Sequence, residues 1–270
     1  MQMTSDPDAG KIWLSVITPV LNGEQYIGGC IENVAGQRTE GIEQIIMDGM
    51  STDGTVAIAE RYARANPWVR VISEKDGSQA AAMNRGIQLA RGPVLGFLNA
   101  DDYYEPNVLN RVEEIFKGLA EPSLVVANCN VRDEAGEIIV VNRPSRLTLL
   151  EFIKGHEYPW NPSAYFYHKS LHDLAGFYDA NEHYVMDVDF LMKAVQKANA
   201  LYVDEVWGNF RWMKGTKTFD DAKAGRMDQR LARLRKKYTG DLSFLERVDL
   251  GLFGLARAVY RGVKAGRDGR

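Results

Sequence analysis

The 270-residue sequence predicts an α/β fold with a mostly parallel central sheet flanked by helices. Short apolar runs rich in Val and Ile alternate with longer segments of helical periodicity through about 130 residues. Turn residues such as Asn22-Gly23 and Gly92-Pro93 separate the two kinds of segment. Because the apolar runs recur at the spacing of β-α-β units, we expect parallel strands with helices on both faces of the sheet.

The predicted strands are apolar runs that end at a turn or at an acidic residue. In the first half of the chain they span residues 13–20, 42–47, 69–73, 94–98 and 124–127. The second half is less regular, with strands expected at 138–141, 163–167 and 201–206. Ligands of parallel α/β sheets bind outside the carboxyl ends of the strands, so the turns after these strands are the candidate site.

The predicted helices carry apolar residues at i, i+3 and i+4. They span residues 25–35, 55–65, 79–90, 106–119 and 187–198, and Asp53 is a candidate cap for the second of them. Near the end of the chain the pattern predicts helices at 220–238 and 242–264. We therefore expect one α/β domain over residues 12–218 and a C-terminal helical extension over 219–270.

The net charge of −3 conceals two regions of opposite charge. Residues 222–270 contain 13 Lys/Arg and 5 Asp/Glu, a net charge of +8, and the preceding residues have a net charge of −11. The last predicted helix places basic residues beside apolar ones, which suits a membrane interface with anionic lipid. Two alternatives to membrane contact remain: this helix docks on the body of its own chain, or it docks on another subunit of a homo-oligomer. Nucleic-acid binding is disfavoured because the acidic body would repel a phosphate backbone.

The compartment is predicted from cysteine usage and from the absence of targeting patterns. Two cysteines, Cys30 and Cys129, favour buried free thiols in a reducing cytoplasm over a disulfide framework. The first residues do not form a signal peptide pattern, and apolar runs of about 18 residues are absent. We expect a cytoplasmic protein, with peripheral attachment to the inner face of the cytoplasmic membrane left open by the basic extension.

Carboxylates dominate the turns at the predicted binding edge. The sequence lacks G-x-G-x-x-G, G-x-x-x-x-G-K-[ST] and G-x-S-x-G, which disfavours a dinucleotide dehydrogenase, a P-loop phosphotransferase and an α/β-hydrolase. The acidic residues after the strands are Asp48, Asp53, Glu74, Asp76, Asp101 and Asp102. Carboxylates hold Mg²⁺ or Mn²⁺, which in turn holds phosphates, and they accept hydrogen bonds from ribose and base. The pattern therefore predicts a nucleotide bound with a divalent cation.

Five segments, in order and in spacing, resemble the family 2 glycosyltransferases of GT-A fold. They read SVITPVLNGEQYI, EQIIMDGMSTDGT, SEKDGSQAAAMNRGI, GFLNADD and PSAYFYHKSLHDLAGFYDANEHYVMDVDFLMKA. The resemblance covers roughly residues 12–218 and implies a Rossmann-like GT-A domain. It also implies a bacterial enzyme of surface-polysaccharide synthesis that uses a nucleotide-diphosphate sugar, which we expect to be UDP-linked.

The resemblance assigns the donor base and ribose to the turns after the first three strands. It implies that Asp48 accepts hydrogen bonds from the uracil or equivalent ring, and that the loop with Glu74 and Asp76 closes over base and ribose. The residues implied to line the base are Thr18, Pro19 and Val20. For the diphosphate it implies Arg85, whose segment also fits a plain helix turn with a solvated arginine.

The segment Asn99-Ala100-Asp101 stands where the family has its Asp-x-Asp metal motif. The resemblance makes Asp101 the ligand of Mn²⁺ or Mg²⁺ and gives Asn99 to the ribose. Asn99 removes one negative charge, and Met213 replaces a family histidine that often ligates the metal; a thioether is a poor ligand for these ions. We therefore expect a metal-dependent enzyme with a weak or water-rich cation site, in which Lys214 and Lys217 help to neutralise the diphosphate.

The family counterpart of Asp187 is the general base of an inverting displacement. A carboxylate removes the proton of the acceptor hydroxyl as it attacks the anomeric carbon, which is worth about 10²–10⁴-fold in rate. Asp187 also fits a helix cap, and Asp189 is expected to cap or pack. His168 and His172 have i,i+4 spacing but are expected to be satisfied or exposed rather than metal ligands.

The sequence thus predicts an inverting glycosyltransferase acting on a hydroxyl of a polysaccharide, a glycolipid or a lipid-linked acceptor. A sugar nucleotidyltransferase is the first alternative, although the first turn, LNGEQYIGG, lacks the basic Gly-rich loop that it would need. A non-catalytic nucleotide-sugar-binding module is the second. Trp160, Tyr165 and Tyr167 are candidates either for stacking on a sugar or for the core.

Overall fold

A computed structural model describes residues 11–37, 40–155 and 158–268, with the side chains of Lys217, Val259 and 261–268 left out. Its first half is a parallel α/β unit. The strands are β1 (Leu14–Val20), β2 (Ile42–Asp48), β3 (Val69–Ser73) and β4 (Val94–Phe97). The connecting helices are α1 (Ile27–Ala35), α2 (Thr55–Ala65) and α3 (Gln79–Leu89). These strands lie in the order β3-β2-β1-β4, all parallel, and every residue of β1 and β2 is buried, as in a sheet covered on both faces.

The second half extends the same sheet with mixed strand directions. Its strands are β5 (Tyr103–Tyr104), β6 (Ser123–Arg132), β7 (Ile138–Asn142), β8 (Tyr165–His168) and β9 (Asn199–Arg211). Beyond β4 the order continues β8-β6-β9-β5, and β7 pairs with β6 at the edge. β8 is antiparallel to β4 and β6, whereas β9 runs parallel to β6. The predicted α/β fold with helices around a central sheet is confirmed, and its parallel character belongs to the first four strands.

The remaining helices cover the two faces of the sheet. They are α4 (Val108–Phe116), α5 (Leu149–Lys154), α6 (Leu171–Ala175), α7 (Met186–Ala194), α8 (Lys217–Lys223), α9 (Arg226–Tyr238) and α10 (Phe244–Asp268). Apolar residues of α3, α5, α7 and α9 share one core with one face of the sheet. Those of α1, α2 and α4 pack in the cores on the other face. Both faces of the sheet are therefore closed, and its carboxyl edge is left for ligands.

Several boundaries differ from the sequence prediction for identifiable reasons. The expected strand at 163–167 starts later, because Asn161 Oδ1 accepts from the Ser163 amide at 2.9 Å and begins a 3₁₀ turn, Pro162–Ala164. The expected helix at 220–238 is broken where Gly225 adopts φ 68°, a conformation that favours glycine. The strands β6 and β9 are much longer than predicted because they pair with each other over most of their length.

The C-terminal segment begins as part of the body. Leu231, Leu234 and Tyr238 of α9 are buried in the core that also contains α7. The start of α10 is held at α5, where Lys154 Nζ lies 2.8 Å from Asp249 Oδ2 and 5.6 Å from the Phe253 ring centroid. Within the described residues, none of the helices is long and apolar enough to cross a bilayer. The division of the chain at residue 218 stays a prediction.

Both cysteines are free and buried, as predicted. Burial raises the pKa of the Cys30 and Cys129 thiols to about 12, so both remain protonated and unreactive at neutral pH. They act as small core residues rather than as nucleophiles.

Candidate functional site

A cavity of about 1090 Å³ opens at the carboxyl edge of the sheet. Its walls come from the turns after β1, β3 and β4, the segment before and into α7, and the end of β9. Of the residues predicted for the donor and the base, it contains Pro19, Val20, Asp76, Asn99, Ala100, Asp101 and Asp187. The topology thus brings together groups that lie up to 168 positions apart in sequence, from 19 to 187.

Thr18 and Asp48 lie behind this cavity rather than in its wall. The Thr18 hydroxyl is buried and accepts from Gln44 Nε2 at 3.1 Å. Asp48, only 2% exposed, accepts from the amides of Met50 and Ser51 at 3.1 Å and from Ser73 Oγ at 2.6 Å. In this conformation the Asp48 carboxylate organises the turn after β2.

Asp76 connects this turn to the cavity. A Cβ on Gly49 would lie 2.9 Å from Asp76 Oδ2, so the carboxylate is seated against the turn after β2. Burial, together with the nearby charge of Asp48, raises the pKa of Asp76. The two acids therefore adjoin, and Asp76 is the one that lines the cavity.

Arg85 and Glu74 pair with each other outside the cavity wall. Arg85 Nε lies 3.1 Å from Glu74 Oε1, and the side chains are 46% and 42% exposed. The adjacent Asn84 has a clear structural task. Its amide donates to the Tyr178 carbonyl at 2.8 Å and accepts from the Tyr178 amide at 3.0 Å, which ties α3 to the segment leading to Asp187.

The turn after β4 holds a network centred on Asp102, which is 3% exposed. Asp102 Oδ2 accepts from Asn99 Nδ2 at 2.8 Å and from Asn161 Nδ2 at 2.7 Å, and Oδ1 accepts from the Arg211 amide at 3.3 Å. Burial, reinforced by the charge of Asp101, raises the pKa of Asp102 to about 7. Asp102 thus joins three segments of the cavity wall, a role that the sequence reasoning did not give it.

Asp101 is the carboxylate of this turn that remains available to a ligand. Burial raises its pKa, and the positive charge of Arg211 acts in the opposite direction. Both polar atoms of the Asn99 side chain are hydrogen-bonded: Nδ2 donates to Asp102, and Oδ1 accepts from Gln79 Nε2 at 3.1 Å. Around Asp101 and elsewhere in the described chain, groups of three or more His, Cys, Asp or Glu able to hold a metal are absent. These residues fit a cation held by one carboxylate and by a diphosphate, not an ion enclosed by protein ligands.

Arg211, at the end of β9, is the basic group beside Asp101 that the sequence reasoning missed. Its guanidinium lies 5.6 Å from the Tyr103 ring centroid and 5.7 Å from that of Tyr26, which holds the charge at the cavity wall. The sequence signal for it was an arginine at the end of a long strand. Its position depends on the pairing of β9 with β6 and β5, which the local pattern does not give.

Met213, which stands in place of the family histidine, and the two lysines expected to neutralise the diphosphate follow Arg211 in the chain. Met213 Sδ is 3.8 Å from Tyr26 Oη, and the Lys214 amide donates to Glu134 Oε1 at 3.1 Å, with the Lys214 side chain exposed. Lys217 begins α8, but its side chain lies outside the described residues.

Asp187 lies in the first turn of α7 and faces the cavity. Its Oδ1 accepts from the Val188 amide at 2.8 Å, and burial raises its pKa to about 6. Asp189 points away and is held by Lys237 Nζ at 2.6 Å and Tyr238 Oη at 2.8 Å, so it packs as expected. Asp187 is therefore a carboxylate that can exchange a proton near neutral pH inside the cavity.

The two paired histidines are satisfied within the fold, as expected. His168 Nδ1 accepts from the Ser123 amide at 3.0 Å. His172 Nε2 lies 3.0 Å from Tyr167 Oη and its Nδ1 lies 3.0 Å from the Gly176 carbonyl. Burial lowers the pKa of both rings, to about 4 for His172. Tyr165 and Tyr167 belong to the core that α3, α5, α7 and α9 form with one face of the sheet. Trp160, in contrast, lines the cavity and is 39% exposed.

Solved structures with a similar fold bind nucleotide sugars. The S. aureus TarS 1-349 structure in complex with UDP-GlcNAc has a TM-score of 0.62 and 22% identity, covering 76% of this chain and 60% of that one. A mannosyltransferase from Pyrobaculum calidifontis, in complex with GDP-Man and Mn²⁺, has a TM-score of 0.56 and 16% identity, covering 94% and 83%. At these identities the likeness establishes the fold.

Sequence relatives are glycosyltransferases by name. The uncharacterized glycosyltransferase EpsJ of Bacillus subtilis is 26% identical over 68% of this chain and 56% of its own length. The PGL/p-HBAD biosynthesis glycosyltransferase of Mycobacterium bovis BCG is 42% identical over 42% of this chain and 44% of its own length. The chain thus spans about half the length of these two relatives. The sequence model described as "Glycosyl transferase family 2" matches residues 15–171, more than half of the chain, and the chain belongs to that family.

Proposed function

We propose that the protein is an inverting glycosyltransferase that transfers a sugar from a nucleotide-diphosphate donor, UDP-linked in the first instance, to an acceptor hydroxyl. The observation that carries the proposal is the presence of two complementary groups in one cavity. Asp187 is a carboxylate with a pKa of about 6, and Arg211 beside Asp101 offers a fixed positive charge. Direct displacement needs these two functions: a base for the acceptor and charge stabilisation for the leaving diphosphate.

The donor is proposed to enter along the turns after β1 to β4. Pro19, Val20 and Asp76 offer a wall to base and ribose, with Thr18 and Asp48 supporting it from behind. TarS has been solved with UDP and with UDP-GlcNAc, which supports UDP as the first donor to test. The GDP-Man complex of the archaeal mannosyltransferase keeps GDP-linked donors in the comparison.

The diphosphate is proposed to lie between Asn99-Ala100-Asp101 and Arg211. Asp101 would hold a Mg²⁺ or Mn²⁺ ion together with the diphosphate, and the ion would supply further positive charge. Glu74 holds Arg85 outside the wall in this conformation, so Arg85 reaches the diphosphate only if that ion pair opens. Lys214 and Lys217 are proposed as additional neutralising charges.

Two other functions give different outcomes. Family membership favours transfer to an acceptor over a sugar nucleotidyltransferase, which would form a nucleotide sugar from a sugar phosphate. A non-catalytic binding module would bind the donor without consuming it. The presence of both Asp101 and Asp187 in the cavity supports the enzyme.

The place of action is proposed to be the cytoplasmic face of a membrane, in cell-envelope polysaccharide or glycolipid synthesis. On α10 the side chains of Phe244, Leu245, Val248, Leu252 and Leu255 are 45–79% exposed. At 100° per residue these positions fall on one side of the helix. Residues 222–270 have a net charge of +8, and 12 of their 13 Lys/Arg lie before or after the stretch 244–255. Apolar and basic groups together suit an anionic bilayer, while the pairing of two copies through this face is the alternative.

The experiment is a panel of UDP-GlcNAc, UDP-glucose and GDP-mannose, assayed for donor hydrolysis and transfer with Mn²⁺ and with EDTA. We expect one donor to be consumed, and Asp187→Asn to bind that donor without consuming it. If no donor is consumed with or without metal, the enzyme proposal fails. Binding without turnover would favour the non-catalytic module, and equal rates in EDTA would remove the metal role of Asp101.

A further inference from the structure

The cavity has a second wall that the donor proposal does not use. Its donor side is polar, with Asp76, Asn99, Asp101 and Arg211. Further lining residues come from the edge of the sheet at β6, β7 and β9 and from the segment at 158–162. These residues expose aliphatic and aromatic side chains to the cavity.

Strand pairing arranges three of these side chains in a row. Val131 on β6 is opposite Val140 on β7 and opposite Phe210 on β9, and all three line the cavity. Directly paired residues project from the same face of a sheet. The row therefore forms one continuous apolar surface across three strands.

A β-bulge adds a further aliphatic group to this surface. Arg132 is opposite Ile138, so Ile139 is an extra residue in β7 between two paired positions. Bulges at sheet edges redirect side chains, and here both Ile139 and Val140 line the cavity while Ile138 does not. Ile139 is 53% exposed, at an edge strand where exposed apolar groups are ordinarily disfavoured.

Aromatic residues close the two ends of the row. The Trp212 ring packs edge-on against Phe210 with centroids 5.8 Å apart. At the other end, buried Asn142 accepts from the Trp160 amide at 3.0 Å and donates to the Tyr158 carbonyl at 3.1 Å, which fixes that segment beside β7. We refer to Ile139, Val140, Val131, Phe210, Trp160 and Trp212 as the apolar wall.

The apolar wall adjoins the proposed base. Tyr158 and Trp160, from the segment beside β7, line the same cavity as Asp187. Consistent with this, burial and the charge of Asp187 both raise the pKa of Tyr158. A hydroxyl positioned for Asp187 would therefore have its remaining parts against apolar side chains. A free saccharide can stack a ring face on Trp160 or Trp212, but it has no apolar chain that would cover Ile139, Val140 and Val131 as well.

We infer that the acceptor carries its hydroxyl on a hydrophobic aglycone, an alkyl, polyprenyl or aromatic group, that binds to the apolar wall. This inference rests on the proposed function and narrows its acceptor class from any saccharide to glycolipid-like molecules. It separates the acceptor wall from the exposed face of α10, which the membrane proposal uses.

The test compares n-octyl and methyl β-D-glucoside, below the micelle concentration and with UDP present, by saturation-transfer NMR. We expect the octyl chain to bind at least about tenfold more tightly than the methyl group, because each buried methylene contributes about fourfold. Ile139→Gln should lower octyl binding about tenfold and leave UDP binding unchanged. Ile138→Gln is the matched control on the same strand. Leu252→Gln is a second control that would lower octyl glucoside binding only if the glucoside bound to α10. Both variants should bind the octyl glucoside like the wild type.

Three results would overturn the inference. Equal binding of the two glucosides would remove the hydrophobic aglycone, and equal losses from Ile138→Gln and Ile139→Gln would show a general surface effect. Loss through Leu252→Gln would move the contact to α10. If UDP fails to bind and no donor is consumed, the proposed function fails and the acceptor assignment falls with it. UDP binding with equal glucoside binding removes the acceptor inference alone.

Discussion

Asp187 is a carboxylate whose ionisation is set by burial in the cavity wall rather than by a neighbouring cation. With a pKa of about 6, it is mostly deprotonated at neutral pH and still basic enough to accept a proton. We expect the transfer rate to rise about tenfold per pH unit below pH 6 and to level off above pH 7. Asp187→Asn should lower turnover about 10²–10⁴-fold with donor binding retained. The measurement is turnover from pH 4.5 to 8.5, and an unchanged profile in Asp187→Asn would contradict the base assignment.

Arg211 is expected to contribute to binding of the donor diphosphate, and Arg85 is not. Arg211 faces the cavity, whereas Arg85 is paired with Glu74 outside its wall. Arg211→Gln should weaken UDP binding about 10–100-fold, the usual effect of losing hydrogen bonds to a charged group, and should leave UMP binding much less affected. Arg85→Gln is the control. Calorimetry with UDP and UMP in EDTA measures both, and a loss confined to Arg85→Gln would reverse the assignment.

Asp102 links ionisation to stability. Its pKa of about 7 in the folded chain lies above the 3.8 of an unperturbed aspartate, so the folded state binds the proton more tightly. The stability associated with this proton is present at low pH and is lost as pH rises towards and past 7. We expect the wild type to lose stability relative to Asp102→Asn between pH 5 and pH 8. The unfolding free energy of the wild type minus that of Asp102→Asn should therefore be lower at pH 8 than at pH 5. Urea unfolding at both pH values checks this, and a constant difference would contradict it.

At the scale of the element, Gly86 shows how α3 is held against the sheet. A Cβ at Gly86 would lie 2.6 Å from Ile17 Cγ2, whereas at Gly29, on exposed α1 surface, it would meet nothing within 4 Å. Both glycines are helical, so each alanine substitution gains about 0.5–1 kcal/mol of helix propensity. Gly29→Ala should therefore stabilise the protein, and Gly86→Ala should destabilise it by about 1–3 kcal/mol through overpacking. Thermal unfolding of the pair decides, and stabilisation in both would contradict the close packing.

The elements that the sequence predicts well are those whose signals are local. The strands β1 to β4 and helices α1 to α3 follow from apolar runs and turn residues, and with them the positions of Asp76 and Asp101. Two residues that contact Asp102 were missed because they come from distant parts of the chain. The pairing of β9 with β6 brings Arg211 to Asp102, and the 3₁₀ turn at 162–164 places Asn161 beside it. Neither contact leaves a periodic pattern in the sequence.

For the whole molecule, the charge divides the chain into an acidic body and a basic C-terminal segment. Four acidic residues of the body, Asp76, Asp101, Asp102 and Asp187, line the cavity, and the basic segment after residue 221 carries the exposed apolar side of α10. Leu242 and Tyr238 are buried in the core of the body, so removal of the whole extension would disturb the fold as well as the surface. Membrane attachment is therefore best tested by substitutions on exposed positions of α10.

We expect the protein to bind vesicles that contain anionic phosphatidylglycerol and to bind phosphatidylcholine vesicles weakly, because basic residues near an anionic surface contribute about 1 kcal/mol each. Leu252→Gln with Leu255→Gln should lower this binding at least about tenfold, since each leucine loses burial in the interface. Leu174→Gln, at a position 54% exposed outside α10, is the matched control and should bind like the wild type. Vesicle co-sedimentation at low and high salt measures the effect. If the double variant binds vesicles normally but abolishes self-association in sedimentation velocity, the face of α10 joins two copies of the chain instead of contacting lipid.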